Sequence, residues 1–523
     1  MNRAVALKIS TSETMSKNAC LIGVDVGTTN VKAGVFTPQG NALAMASAEL
    51  QVNRPKPGWA SYDPANLWRQ TVRVLAEVSR AIAGRFEPVA LAVSSMAETA
   101  IPIDACGLPV YQAIAWFDSR TTEQAEWWAN TFGSEFIFAR TGLPILPIFG
   151  INKLCWIKQH EPEIFSRIAR WLSVSDYINY CLCGVEAAEL SLASRVMALD
   201  LRTRRWSEEI LGAAGIPPSI LGEPVPSGQV LSQISAGAAQ ITGLPRHLCV
   251  VTGGHDHPCA ALGSGVSETG LVLDSLGTSE SLLVVLDSPM LEVRAAHLGF
   301  AQGCHVLPDR YLCFGGLVTA GAAIDWARNI FFKEMARDDA YRRFEELAAQ
   351  STPSSGGVYF MPSLRAANPP HTDPYSRGVF LGISSDTSLA DLARSVLEGL
   401  AYAACDSLTA LRSVFGVEMK QIRAVGGPAR NRLLMEIKAA LANLPFSVVE
   451  IEEAACRGAA ILAGSGVGIY KSIEEIHRQV EFRETPVHAP AGWVNIYHKG
   501  YETVYRHIYP SVRDLHQRIA KPK

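Results

Sequence analysis

Asp25-Val26-Gly27-Thr28-Thr29-Asn30-Val31-Lys32 is a tight turn between two apolar segments. Leu21-Ile22-Gly23-Val24 runs into Asp25. After the turn, Val31, Ala33 and Val35 alternate with Lys32 and Gly34, the period of a half-buried strand. Roughly 250 residues later the same shape returns. Leu271-Val272-Leu273 leads to Asp274, then to Gly277-Thr278-Ser279, then to Leu282-Leu283-Val284-Val285. Two copies of an apolar strand, an acid and a Gly-Thr-Thr/Ser turn predict a duplicated nucleotide-binding unit.

Amphipathic stretches at 64–83 and 122–131 in the first half, and at 389–414 and 431–444 in the second, read as helices. Strands alternating with helices imply an α/β fold. The small-residue stretch 263–270 is suited to a hinge, so we expect an extension at 1–19, domains at 20–265 and 266–510, and a tail at 511–523. Translation starting at Met15 is compatible with the polar leader. An active site between two such domains would close on its ligands.

Glycine and threonine in a tight turn let backbone N–H groups face phosphate oxygens, and the hydroxyls add donors. Asp25 at a strand end suits a Mg²⁺ ion that keeps most of its waters, and Lys32 could reach a moving phosphoryl group. Taken alone, the same letters fit an ordinary hairpin. No G-x-x-x-x-G-K-[ST] occurs, and G-x-G-x-x-G is absent from the turn, which disfavours a dehydrogenase. Gly253-Gly254-His255-Asp256-His257 follows the apolar run 248–251 and places an acid at a strand end. Phosphorylating an alcohol needs such a carboxylate to orient the hydroxyl and take its proton. The H-x-H spacing also permits a metal, but with no further ligand cluster His257 is better used as a donor to substrate hydroxyls. Gly426-Gly427-Pro428-Ala429-Arg430-Asn431 lies between a strand at 422–425 and a helix, where glycine would let a flat base approach the backbone. A plain strand-to-helix turn reads almost the same.

Composition narrows the classes. The 523 residues are 19% charged and 48% hydrophobic with a formal net charge of −3, the balance of a packed enzyme of two domains. No basic block offers a nucleic-acid surface, no apolar run reaches the ~18 residues of a membrane span, and the first twenty residues lack a signal-peptide core. Eleven scattered cysteines fit free thiols in a reducing cytoplasm, with Cys181, Cys183 and Cys259 read as packing residues.

In order, the motifs resemble the FGGY carbohydrate kinases, which include glycerol, xylulose, ribulose and fuculose kinases. The resemblance runs from about Leu21 to His507. It includes Pro57-Gly58-Trp59, Asp63-Pro64, Trp116-Phe117-Asp118-Ser119-Arg120-Thr121, Ser191-Leu192-Ala193-Ser194 and Gly254-His255-Asp256. It continues through Leu276-Gly277-Thr278-Ser279, Gly321-Ala322-Ala323-Ile324-Asp325-Trp326, Pro362-Ser363-Leu364, Glu398-Gly399, Gly426-Gly427 and Arg457-Gly458-Ala459-Ala460-Ile461-Leu462-Ala463.

The resemblance implies two ribonuclease-H-like domains of the actin and hexokinase type, with the site in the cleft. It also implies phosphorylation of a small sugar or polyol by ATP and Mg²⁺. Asp256 falls on the catalytic base, and Asp25 with Asp256 on the metal-linked acids. Thr28, Thr29 and Lys32 fall on the first phosphate motif, and Gly277, Thr278 and Ser279 on the second. Gly321, Asp325, Gly426, Gly427 and Arg430 fall where relatives hold adenosine; Glu98, Trp116, Asp256 and His257 fall where they touch the acceptor. Glu98 and Trp116 match the glycerol-kinase pattern, but Ala97 replaces its arginine and Ile148 its tyrosine, which leaves room for a longer substrate. His255-Asp256 is similar to the deoxyketose kinases, and Ala440 and Asn443 replace the acid and glycine usual near the adenosine loop. The expected partners are thus ATP and a sugar or polyol, with no nucleic acid or membrane, and a homodimer is allowed. An actin-like ATPase or a non-catalytic sugar sensor would share the fold, but the first would not need Glu98, Trp116 and Asp256 together, and the second would not need both Asp25 and Asp256.

Overall fold

The computed structural model describes residues 18–520 other than 318 and 368, and the backbone but not the side chain of Arg337. Met15 and most of the expected N-terminal extension lie outside the described residues. The turn quoted above joins strands Ala19–Val26 and Asn30–Phe36, paired so that Asp25 stands opposite Lys32. The first strand therefore begins at Ala19, one residue inside the expected extension.

Two sheets share one plan. In the first, strands run in the order Val230–Gln233, Cys249–His255, Glu87–Ser95, Ala19–Val26, Asn30–Phe36, Ala42–Glu49. Its three middle strands that begin at 249, 87 and 19 are parallel, and the flanking pairs are antiparallel. The second sheet repeats that order and sense with Glu484–Val487, Phe446–Val449, Gln421–Gly426, Leu271–Leu276, Glu280–Leu286 and Tyr311–Leu317, and adds Ala301–Cys304 at its edge. Strand Ala19–Val26 is buried on both faces, as expected of a sheet covered by helices on each side. Each sheet has its own apolar core, one around Ile22, Val24, Leu67 and Leu91, the other around Val272, Leu282, Leu400 and Ile422. A third core of Trp128, Phe149, Trp156 and Trp171 supports the segment between the strands at 87–95 and 249–255.

The expected helices form at Pro64–Ile82, Thr122–Thr131, Leu389–Phe415 and Arg432–Ala442. Two contacts cross the expected domain bounds. Helix Ala454–Gly466 belongs to the second half by sequence but packs on strand Ala19–Val26 and on helix Asp256–Gly263 of the first. Glycines permit that approach: a Cβ on Gly23 would stand 1.7 Å from the Cys456 carbonyl oxygen, and one on Gly458 1.8 Å from that of Cys259. Helix Arg506–Ala520 crosses the expected boundary at 511 without a break and buries His516, so 511–520 continue the fold.

Candidate active site

Asp256 is the first residue of helix Asp256–Gly263, where strand Cys249–His255 ends. The end of that strand is fixed by a buried acid. Glu189 accepts from the backbone N–H groups of Ser191 and Leu192 and from the Ser191 hydroxyl, and the Ser191 oxygen accepts from the His255 N–H at 2.9 Å. The Ser191–Ser194 motif thus places Asp256. His255 Nε2 lies 3.1 Å from Asp256 Oδ1, the His257 N–H donates to the same oxygen at 2.7 Å, and the two imidazoles meet edge to face. Burial alone would raise the Asp256 carboxyl; the His257 imidazole and the bonds from His255 and the His257 N–H outweigh it and hold it down at about 2. Burial lowers the His257 imidazole, against the pull of Asp256.

Asp25 accepts from Ser94 Oγ at 2.6 Å. Burial, then the Asp256 charge, push its carboxyl up to about 7, against the Ser94 bond and the Lys32 ammonium. Lys32 itself pairs with Glu453 at 2.8 Å, a residue 421 positions away. Burial works to lower that ammonium, and Glu453 more than offsets it.

A cavity of about 390 Å³ opens over His255, Asp256 and His257. Its walls include Thr28, Ala97, Glu98, Trp116, Ile148, Arg195, His257, Ser279 and Phe314, so the two turns face one space. Trp116, 38% exposed, donates through Nε1 to Thr28 Oγ1 at 3.0 Å, and Thr29 Oγ1 accepts from Asn30. The Pro57-Gly58-Trp59 and Trp116–Thr121 motifs hold one another. Ala60 N–H and Arg120 both donate to the buried Asp118 carboxylate, and Arg120 lies 3.9 Å from the centre of the Trp59 ring. Glu98 has a left-handed backbone (φ 58°), uncommon for a residue with a Cβ. Lys153 Nζ donates to its carbonyl at 2.5 Å, and burial pulls that ammonium down to about 7. The Glu98 carboxylate is bound through Oε1 by Arg195 Nε at 2.7 Å and Nη2 at 2.6 Å.

On the other side of the cleft, the second turn packs on helix Gly321–Phe331. Gly321 donates to the Gly277 carbonyl at 3.0 Å, and Ala320 and Ala322 donate to that of Thr278. Gly426 has φ 101°, and a Cβ there would lie 1.9 Å from the Leu276 carbonyl oxygen, whereas Gly427 has open space beside it. Gly277, Gly321 and the 426–428 loop therefore meet, with Arg430 exposed beyond them. Asp325 accepts from Tyr341 at 2.6 Å and from Arg328 at 3.0 Å, and so is engaged within the protein.

Residues 20–263 match the FGGY family of carbohydrate kinases, N-terminal domain, and residues 272–467 match its C-terminal domain. The chain belongs to this family. This FGGY kinase is 29% identical over 496 residues to a xylulose kinase of Staphylococcus epidermidis, covering 95% of this chain and 97% of that one. It is 31% identical over 465 residues to a glycerol kinase of Citrifermentans bemidjiense, covering 86% and 90%. Its fold matches the crystal structure of a xylulose kinase from Rhodospirillum rubrum with a TM-score of 0.88 at 26% identity, covering 95% of this chain and all of that one. It is a phosphotransferase of the actin and hexokinase type that phosphorylates a sugar or polyol with ATP and Mg²⁺.

The residues present fit Mg²⁺, since the crowded carboxylates of Asp25 and Asp256 offer the oxygen donors a hard divalent ion prefers. His255, Asp256 and His257 bring ligand atoms within 4.8 Å of one another, but imidazole nitrogens suit softer metals, and here His255 Nε2 already meets Asp256 Oδ1 at 3.1 Å. Sequence reasoning missed Arg195, Ser94, Lys153 and Glu453. Arg195 directly follows the quoted Ser191–Ser194 motif and was within reach; the others have no local signature. Cys259 is fully buried, as expected, and burial raises its thiol well above the usual range. Among the described residues, no helix is long and apolar enough to cross a membrane.

Proposed function

We propose that the acceptor is a ketose or polyol of roughly four to six carbons, and that Asp256 takes the proton from the hydroxyl attacking the γ-phosphate. One observation carries this reading. Asp256 lines the cleft with its carboxylate held ionised by two flanking histidines, and an ionised carboxylate is ready to accept a proton at neutral pH. Asp25 and Asp256 would hold Mg²⁺, which when bound offsets the negative charge of the phosphates. Thr28 and Thr29 from one turn, and Gly277, Thr278 and Ser279 from the other, would donate to phosphate oxygens. Lys32 would join them once released by Glu453. Gly321, Gly426, Gly427 and Arg430 would border the adenosine, with Asp325 as their support rather than a direct contact, since its carboxylate is already bonded to Tyr341 and Arg328.

At the acceptor end, Arg195 takes Oε1 of Glu98, so Oε2 is the oxygen for substrate hydroxyls. Trp116 would pack on the carbon skeleton and His257 bind a further oxygen. The relatives' names divide between xylulose and glycerol. Ala97 and Ile148 both line the cavity, which favours the longer acceptor. The free state of all eleven cysteines supports a cytoplasmic setting; assembly as a homodimer is a matter for sedimentation. Domain closure about 263–270 would have to slide against helix Ala454–Gly466, which bridges the halves. Scattering curves with ATP-Mg²⁺ and acceptor should then show compaction.

The test is a screen of purified protein with ATP-Mg²⁺ against glycerol, longer polyols, tetruloses, pentuloses and deoxyhexuloses. A longer acceptor should exceed glycerol clearly in kcat/KM, and Glu98→Ala should raise the KM for that acceptor while leaving the KM for ATP nearly unchanged. Glycerol emerging as the best substrate would sink the pocket argument.

A further inference from the structure

Behind the acceptor end of the cleft lies a smaller cavity of about 30 Å³, lined in part by Glu98, Thr99, Asp176, Arg195 and Trp206. Glu98 and Arg195 line both spaces and so form the wall between them. Three buried side-chain atoms on its lining residues have no hydrogen-bond partner in the protein: Arg195 Nη1, Thr99 Oγ1 and Asp176 Oδ1. These residues are 8%, 1% and 2% exposed, so bulk solvent does not serve them. Their remaining polar atoms are committed. Arg195 Nε and Nη2 bind Glu98, and Asp176 Oδ2 accepts from Ser173 Oγ at 2.7 Å.

Buried polar groups are rarely left unpaired, because each then keeps the full cost of its desolvation. A water needs at least ~10–15 Å³ of such space and two to four polar partners. This cavity meets both conditions. Arg195 can only donate, the Asp176 carboxyl, which burial raises to about 7, accepts and when protonated can also donate, and Thr99 can do either, so water, which both donates and accepts, suits all three.

We propose that the rear cavity is a bound-water site, and that Arg195, locked through that water to Thr99 and Asp176, positions Glu98 for the acceptor. The second half rests on the reading of Glu98 as an acceptor contact. Glu98 would then be gripped twice: Lys153 holds its carbonyl in the left-handed conformation, and Arg195 holds its carboxylate. Ala97 leaves no cation next to Glu98 in sequence, and Arg195 supplies one from 97 residues further on. Thr99 and Asp176, which line only the rear cavity, thereby influence acceptor binding.

A high-resolution crystal structure of the full chain should show a water within hydrogen-bond distance of Arg195 Nη1, Thr99 Oγ1 and Asp176 Oδ1. Thr99→Val, which keeps the shape and removes the hydroxyl, should raise the acceptor KM by roughly two- to tenfold with the KM for ATP unchanged. Thr99→Ser should restore it. Arg195→Lys keeps the charge but loses the planar fork, and should raise the acceptor KM further. A dry cavity overturns the water site even if every variant misfolds. A hydrated cavity with unchanged acceptor KM in Thr99→Val overturns the positioning role. Glu98→Ala with a normal acceptor KM would instead remove the Glu98 reading and leave the water standing by itself.

Discussion

The two strand–turn–strand units are built alike and used differently. Each has an acid near the end of its first strand, and each turn closes with a glycine N–H bonded to a carbonyl, that of Asn30 in the first and Ser279 in the second. Asp25 lies two residues before Gly27 and Asp274 three before Gly277. Asp25 is partly exposed, takes a single side-chain bond from Ser94 and feels the charge of Asp256. Asp274 is buried and sealed by Lys438, whose ammonium reaches Asp274 at 2.7 Å and Glu280 at 2.8 Å. Burial, then the Asp274 charge, push Glu280 up to about 7. Repeating the fold therefore did not repeat the chemistry. A carboxylate left partly exposed keeps oxygens that a metal could take, whereas one closed over by a lysine becomes part of a core.

Four outcomes would sharpen or break this contrast. The largest concerns the base proposed beside the open copy: Asp256→Asn should lower kcat by roughly 10²- to 10⁴-fold while nucleotide titrations stay near normal. Near-normal turnover would remove Asp256 from the role. Next, Asp25→Ala should weaken Mg²⁺-dependent turnover far more than acceptor binding, with little change in thermal stability. Calorimetry showing an equal loss of acceptor affinity would make Asp25 structural, like its counterpart.

Third, Lys438→Met should do the opposite, costing about 3–5 kcal/mol of stability because two buried acids lose their cation. A denaturation midpoint close to wild type would mean that the second copy is not sealed. The smallest effect is a pH dependence. A carboxyl raised in the folded state contributes stability that is full below its unfolded value near 4.5 and is lost as pH rises through about 7. Glu280→Gln should therefore flatten the decline in stability between those pH values, and urea titrations at pH 5 and 8 measure it. An unaltered slope would assign the decline elsewhere.

How much was legible follows the range of each interaction. Both turns, the strand-end acid Asp256 and the Gly426-Gly427 loop could be read because each is written in neighbouring residues. Strand period, a strand-end acid and glycine where only glycine fits are local facts. Glu98 and Trp116 were readable only through family resemblance, since nothing in their own neighbourhoods marks a sugar site. Arg195 stood beside a quoted motif, but that it and Lys153 would both grip Glu98 had no signature in the sequence.

The sequence by itself determined a duplicated α/β chain whose acids and glycines cluster at strand ends, because hydrophobic period and turn chemistry act over a few residues. Only the tertiary structure decided which acid stays open, Asp25 or Asp274. It also decided that Lys32 pairs with Glu453 and that helix Ala454–Gly466 closes on the first sheet. Those outcomes depend on groups up to 424 positions apart meeting in one packed volume, as Cys456 Sγ does at the Lys32 carbonyl. There burial sets the charge of each acid, and no local pattern records which distant side chain will cover it.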